Sequence, residues 1–296
     1  MPTATNLDPD IAHDVMVAAC QQLGISTAKS RLIRLGENAI FHVPGDSIVV
    51  RVGRSFDEMS LELNIAIWLA QNGVPGVEPR HIELGVLEHQ GYPVTFWNFI
   101  DQHEIQPTAE DLGLLIRHIH QLKAPDTFTL PTFVAMPKIE HRLESFRGLF
   151  EDDDIEFIRI RKQSIESNLS EIDSALGWGP IHGDAHLGNL MRDRSGITRI
   201  IDYGDFCIGP REWDICALAV GFKVGTVKES NYRAFAHAYG FDALTWDGFD
   251  TIQAARELNM TTWLMQLHGY SPEIDKEIKT RLSDLRSGSV RRWKPF

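Results

Sequence analysis

The chain has 296 residues, of which 43% are hydrophobic and 24% are charged, and its formal net charge is -12. This composition is typical of a soluble globular protein with a large core in one or two domains. The acidic balance argues against nucleic acid as a partner, because phosphate backbones are bound by clustered Lys and Arg. No uncharged apolar stretch approaches the ~20 residues that cross a bilayer, so we expect no membrane association.

The amino-terminal segment and the cysteines indicate the cellular compartment. MPTATNLDPDIAHD lacks the basic region and apolar core of a secretory signal, so we expect a cytoplasmic protein. The three cysteines, Cys20, Cys207 and Cys216, form no CxxC pair. The sequence therefore supports neither a disulfide framework nor a zinc ribbon.

The first hundred residues predict an antiparallel sheet with one inserted helix. Three short segments rich in β-branched residues, RLIRL, AIFHV and SIVVRV, are separated by turn residues and predict a meander. Ser55 and Glu58 form a capping-box signature, which predicts a helix through about Ala70. VEPRHIELGVLEH and YPVTFWNFI, joined at a Gln-Gly turn, predict a further hairpin.

The rest of the chain is predicted to be mainly helical. Thr108 and Asp111 indicate a helix start, and apolar residues at helical spacing follow through Leu122. LMRDRSGITRIID instead predicts two short strands joined by a turn. Together the elements indicate an α+β protein, with an N-terminal lobe over 1–98 and a larger, mainly helical lobe over 99–296. Further helices are expected over 138–147, 154–176, 210–222, 229–238, 246–268 and 273–286.

One short segment, IHGDAHLGNLM, carries an unusual concentration of reactive side chains. Two of them, His182 and His186, could bind zinc with Asp184 if the segment were helical. Gly183 and the strand-like residues before it favour a loop instead, and no other histidine is clustered nearby. A metal-dependent hydrolase using these three residues therefore remains only as an alternative.

Phosphoryl transfer offers a second explanation of the same segment. This chemistry needs a carboxylate to orient the attacking hydroxyl and oxygen ligands for Mg²⁺. Asp184 and Asn189 in the loop, followed by Asp202 at the end of the predicted hairpin, supply those groups.

The two central motifs together resemble a known family. HGDAHLGN is similar to the catalytic loop H-G-D-x-x-x-x-N of the aminoglycoside phosphotransferase and choline kinase family, relatives of the protein kinases. IIDYGDFCIGPREWDICALA resembles that family's metal-binding segment. GENAIFHV, IVVRV and LELNIAIWLAQNGVP resemble, in the family's order, its phosphate loop, its strand carrying a basic residue and the helix that follows. The resemblance covers about residues 32–222 and implies a protein-kinase-like two-lobed fold.

The resemblance implies roles for individual residues of the catalytic segment. Asp184 is expected to orient the acceptor hydroxyl and accept its proton, and Asn189 and Asp202 are expected to hold Mg²⁺. Asp214 is expected to brace the catalytic loop, and the two histidines to organise it. Asp205 is a family position that could lie near the metal or substrate or serve only as a turn carboxylate.

The resemblance also implies a nucleotide site. Arg51 takes the place of the kinase lysine and is expected to contact the α- and β-phosphates through a planar fork. Its expected partner is Glu62, with Glu58 as the alternative. Further nucleotide contacts are expected from the glycine-poor phosphate loop and from a hinge whose backbone binds the purine: Gly36, Glu37, Asn38, Trp97, Asn98 and Phe99.

The predicted function is Mg²⁺-dependent transfer of a phosphoryl group from ATP or GTP to a hydroxyl of a small molecule, such as an aminoglycoside-like antibiotic or an amino or sugar metabolite. A catalytically silent nucleotide-binding protein of the same fold is an alternative. The acceptor and the oligomeric state are left open, because Trp263 and Tyr270 would suit a neutral acceptor and acidic side chains a cationic one. Those acidic candidates are Asp152, Asp153, Asp154, Glu156, Glu257, Asp275 and Glu277.

Overall fold

The computed structural model describes residues 7–36, 38–288 and 292–295. The chain divides into two compact units. The first comprises Met1–Pro107, Pro125–Leu130 and Gly188–Phe206, and the second comprises Thr108–Ala124, Pro131–Leu187 and Cys207–Phe296. The functional boundary expected between residues 98 and 99 stays a prediction, because compactness groups residues by packing and not by function.

The described residues form a mixed set of strands and helices. The strands are β1 (Arg31–Leu35), β2 (Ala39–Val43), β3 (Ile48–Val52), β4 (Pro79–Arg80), β5 (Leu87–His89), β6 (Tyr92–Asn98), β7 (Trp178–Ile181), β8 (Leu190–Arg192), β9 (Thr198–Ile200) and β10 (Cys207–Pro210). The helices are α1 (Pro9–Gln22), α2 (Phe56–Gln71), α3 (Ala109–Gln121), α4 (Ile139–Ser145), α5 (Asp152–Leu169), α6 (Glu212–Lys223), α7 (Glu229–Tyr239), α8 (Phe249–Met265) and α9 (Pro272–Ser287).

An antiparallel sheet is the centre of the first unit. Its strands lie in the order β1-β2-β3-β6-β4, and β5 also pairs with β6, which confirms the predicted meander and hairpin. One face of β2 and β3 is apolar and buried, and it forms a single core with the buried residues of α1. On the other face, Arg51 lies opposite Ile40 on β2 and Thr95 on β6. Burial of one face therefore leaves the opposite face for polar side chains.

Helices α1 and α2 both begin at a side-chain cap. Asp8 accepts a hydrogen bond from the backbone N–H of Asp10 at 2.8 Å and starts α1, which the sequence analysis did not predict. Ser55 accepts from the backbone N–H of Glu58 at 3.2 Å and starts α2, as predicted. Each cap satisfies a backbone donor that the first turn of a helix leaves without an intrahelical partner.

A tight turn joins β8 and β9, the predicted strands of residues 190–202. The Asp193 carboxylate accepts hydrogen bonds from the backbone N–H groups of Ser195 and Ile197, each at 3.0 Å, and from Arg199 Nε at 2.8 Å. Hydrogen bonding, chiefly from the Ser195 side chain, lowers the pKa of Asp193 to about 2. The turn is thus fixed by an ionised carboxylate.

The second unit is mainly helical, with β7 and β10 paired antiparallel. Thr108 and Asp111 form a reciprocal capping box at α3, as predicted. The helix expected over 154–176 ends earlier, at Leu169. The following segment is held instead by the buried Glu212, which accepts hydrogen bonds from Ser174 Oγ at 2.8 Å and from the Leu176 N–H at 2.6 Å.

Two other expectations for this unit were wrong in detail. The predicted helix over 210–222 begins at Glu212, because residues 207–210 form β10 and pair with β7. The predicted helix over 246–268 is shorter at both ends and spans Phe249–Met265. Within the described ranges, no helix has the length and apolarity needed to cross a membrane.

Candidate active site

Asp184 lies in the loop that follows β7, and its side chain is 47% exposed. Its Oδ2 atom is 3.3 Å from His186 Nε2. Partial burial by itself would raise the pKa of Asp184, but the hydrogen bond from His186 and the electrostatic effects of His186, His182 and Arg256 lower this pKa well below its usual range. The loop therefore presents an ionised carboxylate at neutral pH.

The backbone of this loop is held by Asp214, a fully buried residue of α6. Asp214 accepts hydrogen bonds from the backbone N–H groups of His182 at 2.7 Å and Gly183 at 2.9 Å. Its Oδ2 atom is also 3.1 Å from His120 Nε2, and His120 Nδ1 is 2.8 Å from the Tyr239 hydroxyl. Burial would raise the pKa of Asp214, but these partners lower it. The contacts are those expected of a bracing residue.

Two further residues contact the loop or its support, and the sequence analysis missed both. Trp213 Nε1 donates a hydrogen bond to the Gly183 carbonyl oxygen at 2.8 Å. Arg256, on α8, lies with its guanidinium carbon 4.3 Å from the centroid of the Trp213 ring. Trp213 could have been found from its place beside Asp214 in the motif, whereas nothing in the local sequence marks Arg256.

In the first unit, Arg51 and Glu62 form the predicted pair. Arg51 Nη1 and Nη2 donate to the two carboxylate oxygens of Glu62 at 2.5 Å and 3.1 Å, so Glu62 and not Glu58 is the partner. Burial raises the pKa of Glu62, and the Arg51 guanidinium opposes that rise. A two-point ion pair of this kind fixes the plane of the guanidinium.

Asp202 and Asn189 are also brought together in the first unit. The backbone N–H of Ile201, the residue before Asp202, donates to the Asn189 carbonyl oxygen at 2.9 Å. Asp202 has a φ of 66°, a left-handed conformation that costs energy for a residue with a Cβ and is concentrated at functional sites. A Cβ placed on Gly204 would lie 3.8 Å from Asp202 Oδ1 and 3.9 Å from Glu62 Oε1, so Asp202 also lies near the Arg51–Glu62 pair.

The donor atoms available here fit Mg²⁺ better than zinc. Asn189 and Asp202 offer an amide and a carboxylate, the oxygen ligands with which Mg²⁺ combines nucleotide phosphates and water. By contrast, no group of three or more His, Cys, Asp or Glu side chains in the described parts of the chain could hold a metal ion. The hydrolase alternative with His182, Asp184 and His186 is therefore unsupported.

The predicted hinge is more constrained than its sequence suggested. Trp97 is 2% exposed, and its Nε1 donates to Thr95 Oγ1 at 2.9 Å. The backbone N–H of Asn98 donates to the Glu78 carbonyl at 2.9 Å, and that of Phe99 to the Ser47 carbonyl at 3.0 Å. A purine at this segment would have to bind backbone groups other than these two N–H groups.

The predicted phosphate loop is described only in part. The backbone N–H of Gly36 donates to the Asn38 carbonyl at 3.1 Å, and Arg54 Nη2 donates to the Gly36 carbonyl at 3.1 Å. Glu37 lies outside the described residues. The turn between β1 and β2 is thus held partly by an arginine, which the sequence analysis did not assign.

Most of the acidic candidates for binding a cationic acceptor already bind groups of the same unit. Asp153 and Asp154 pair with Arg286, Glu156 with Arg159, Glu277 with Arg281 and Asp275 with His268, and Glu257 accepts from Gln253. Glu257 is 1% exposed and Glu277 is 5% exposed. A cationic ligand would have to compete with these existing partners.

Comparison with known proteins gives a family match and several structural neighbours. Residues 36–257 match the model of the phosphotransferase enzyme family. No curated protein gives a significant match. An amicoumacin kinase in complex with AMP-PNP, Ca²⁺ and Ami is 13% identical with a TM-score of 0.74, covering 94% of this chain and 95% of its own.

Two other solved structures have the same fold at similarly low identity. A spectinomycin phosphotransferase in complex with ADP and spectinomycin is 19% identical, with a TM-score of 0.64 over 90% of this chain and 93% of its own. A microcompartment-associated aminopropanol kinase is 19% identical, with a TM-score of 0.66 over 93% of this chain and 99% of its own. The likeness confirms the predicted protein-kinase-like fold.

Proposed function

Because the chain belongs to the phosphotransferase enzyme family, we propose that it transfers the γ-phosphate of Mg²⁺-bound ATP or GTP to a hydroxyl group of a small molecule. The observation that supports this most directly is the ionised Asp184 in a loop fixed by Asp214. A carboxylate held in this way can orient a hydroxyl group, and in-line phosphoryl transfer depends mainly on such positioning.

In the proposed reaction, Asp184 accepts a hydrogen bond from the acceptor hydroxyl. A bond forms between the acceptor oxygen and the γ-phosphorus while the bond from that phosphorus to the β,γ-bridging oxygen breaks. The hydroxyl proton passes to the Asp184 carboxylate, and the nucleoside diphosphate leaves. The low pKa of Asp184 makes it a weak base before transfer, so its larger contribution is orientation, with proton transfer late in the reaction.

Three residues of the first unit are assigned to the nucleotide and its metal. Asn189 and Asp202 would hold Mg²⁺, which neutralises charge on the β- and γ-phosphates when bound. Arg51 would bind the α- and β-phosphates through its guanidinium, kept in one plane by its two hydrogen bonds to Glu62. The fixed fork means that little side-chain freedom is lost when phosphate binds.

For the acceptor, we propose a hydroxylated antibiotic or amino alcohol. The names of the structural neighbours support this, since they act on amicoumacin, spectinomycin and aminopropanol. The internal pairing of the acidic candidates weighs against a highly charged cation held by many carboxylates. A neutral or singly charged acceptor is consistent with both observations.

The proposal is tested by a nucleotide-consumption screen with ATP and GTP against hydroxylated metabolites and antibiotics, with phosphorylated product confirmed by mass spectrometry. We expect Mg²⁺-dependent product with at least one acceptor class, and a transfer rate lower by ~10²-fold or more with Asp184→Ala. The silent-protein alternative predicts nucleotide binding by calorimetry without turnover for any acceptor, and that result would refute the proposal.

A further inference from the structure

The geometry points to Arg256 of α8 as a positioning residue for the catalytic loop, acting through Trp213 on the peptide group next to Asp184. This inference rests on the proposed function, because it concerns the placement of the carboxylate that orients the acceptor. It assigns to α8, far from the motifs in sequence, a role in setting the geometry of transfer.

Arg256 contacts Trp213 in two ways. The guanidinium lies over the indole, with 4.3 Å between Cζ and the ring centroid, and Arg256 Nη2 donates a hydrogen bond to the Trp213 carbonyl oxygen. The Phe133 ring also contacts this indole, at 4.7 Å between centroids, and Trp213 is 5% exposed. Stacking on a buried ring together with a charge-assisted hydrogen bond restricts both side chains.

Trp213 in turn contacts the catalytic loop. The indole Nε1–H donates to the Gly183 carbonyl oxygen at 2.8 Å, while Asp214 accepts from the Gly183 N–H at 2.9 Å. Gly183 has a φ of 84° and no Cβ, so its local conformational preference does not fix the adjoining peptide planes. These external hydrogen bonds therefore set the direction in which the chain enters Asp184.

Arg256 also acts on Asp184 electrostatically. Arg256 is one of the groups, with His186 and His182, whose electrostatic effect lowers the pKa of Asp184. The guanidinium is thus close enough to favour the ionised carboxylate as well as to hold Trp213. Lysine in its place would keep a positive charge but lose the planar fork and most of the stacking, whereas glutamine would keep an amide donor and lose the charge.

The kinetic test compares Arg256→Gln, Arg256→Lys and Trp213→Phe with a control, Arg159→Gln, which replaces a half-buried arginine of the same unit. Mg²⁺-ATP is the donor, with the best acceptor from the screen and with water as a slow acceptor. We expect Arg256→Gln to lower kcat by about 10- to 100-fold, since small misplacement of a positioned group has losses of this order. The nucleotide KM should stay within about twofold, Arg256→Lys should recover part of the loss, and the control should be unchanged.

Because Arg256 is proposed to act through Trp213, the losses should not multiply. The Arg256→Gln/Trp213→Phe double variant should be within about threefold of the slower single variant. Any of three results would overturn the inference. The kcat of Arg256→Gln could stay within about twofold of the wild type, or the variant could lose activity through a raised nucleotide KM instead of a lowered kcat. The third is that the kcat losses of the two single variants multiply fully in the double variant.

A second readout is independent of activity. In ¹⁵N-tryptophan-labelled protein, the indole N–H of Trp213 should exchange with solvent about tenfold or more faster in Arg256→Gln, because the hydrogen bond to Gly183 opens locally. The indoles of Trp97 and Trp293 donate to Thr95 Oγ1 and Asp284 Oδ2 and serve as internal controls that should not change. If Arg256→Gln unfolds and all three exchange rapidly, Arg256→Lys replaces it, with a smaller selective acceleration expected.

The two readouts separate failure of this inference from failure of the proposed function. Selective acceleration at Trp213 without phosphotransfer to any acceptor would refute the proposed function and leave the link from α8 to the loop intact. Phosphotransfer by the wild type, with neither kcat nor Trp213 exchange altered in Arg256→Gln, would refute the inference alone.

Discussion

Replacing Asp214 with asparagine exchanges one carboxylate oxygen for an NH₂ group in the residue that braces the catalytic loop. The volume of the side chain stays nearly unchanged. The carboxylate accepts from the His182 and Gly183 N–H groups through different oxygens, and the oxygen facing His182 also lies 3.1 Å from His120 Nε2. An asparagine amide has one accepting oxygen and one donating NH₂. In either orientation its NH₂ faces a backbone N–H, so one buried donor loses its acceptor.

The magnitude follows from that loss and from the charge. An unsatisfied buried donor costs about 1–3 kcal/mol, and breaking a buried ion pair costs about 3–5 kcal/mol where the partner charge stays buried. His120 keeps its contact with the Tyr239 hydroxyl, which limits the second cost. We therefore expect Asp214→Asn to lower the free energy of unfolding of the second unit by about 2–4 kcal/mol.

Urea denaturation measures this loss, with Asp250→Asn, an exposed residue of α8, as the matched control. In the folded Asp214→Asn variant, kcat should also be lower by about 10- to 100-fold, because the loop that carries Asp184 shifts. The lowered pKa of Asp214 adds a pH signature. Its stabilisation is present above about pH 4 and is lost as the pH falls through the folded-state pKa, so the variant should lose less stability in acid than the wild type. A variant within about 0.5 kcal/mol of the wild type and with unchanged kcat would refute this account.

Other predictions test individual side chains. Asp184→Ala should reduce transfer by ~10²-fold or more in single-turnover assays while nucleotide affinity stays nearly unchanged, and retention of over a tenth of the rate with an intact fold would exclude the assignment. Asp202→Asn should weaken the Mg²⁺-dependent part of nucleotide affinity measured by calorimetry, and the same Mg²⁺ dependence as wild type would contradict the assignment. Arg51→Ala should raise the nucleotide KM, and Glu62→Ala should raise it less. If the two residues act together, the free-energy effect of the double variant on KM should be smaller than the sum of the two single effects. Strict additivity of these effects would argue against coupling. Asp193, with a pKa of about 2, should stabilise the first unit above about pH 4 and lose that contribution as the pH falls towards 2. The unfolding midpoint of Asp193→Ala should therefore decrease less steeply in acid than that of the wild type. An equally steep decrease would contradict a stabilising role for the hydrogen bonds of this turn.

The elements with strong local signals were predicted well from the sequence. The β1–β3 meander consists of short segments rich in β-branched residues between turn formers, and α2 and α3 begin at polar caps. Helix α1 was not predicted, although its buried residues recur at helical spacing, at Ala12, Val15, Met16 and Ala19. That helix could have been predicted from its period.

The contacts at the site that the sequence did not predict are long-range ones. The N–H groups of Asn98 and Phe99 are taken by carbonyls of Glu78 and Ser47, and no local pattern shows which residues a hinge will face. Arg256 reaches Trp213 from another helix in the same way. The resemblance to the family predicted the pairing of Arg51 with Glu62, because the family's motifs include both positions.

Residues 188–206 belong to the first unit although they are far in sequence from its main part. This arrangement affects how the unit folds during synthesis. The backbone N–H of Val77 donates to the Ile200 carbonyl at 3.0 Å, and that of His103 to the Arg192 carbonyl at 2.8 Å. During translation these donors have no such acceptors until roughly a hundred further residues have left the ribosome, and closing so long a loop slows folding. A fragment ending at residue 107 should therefore expose these edges and aggregate, and a synthetic peptide spanning 188–206 should increase its solubility.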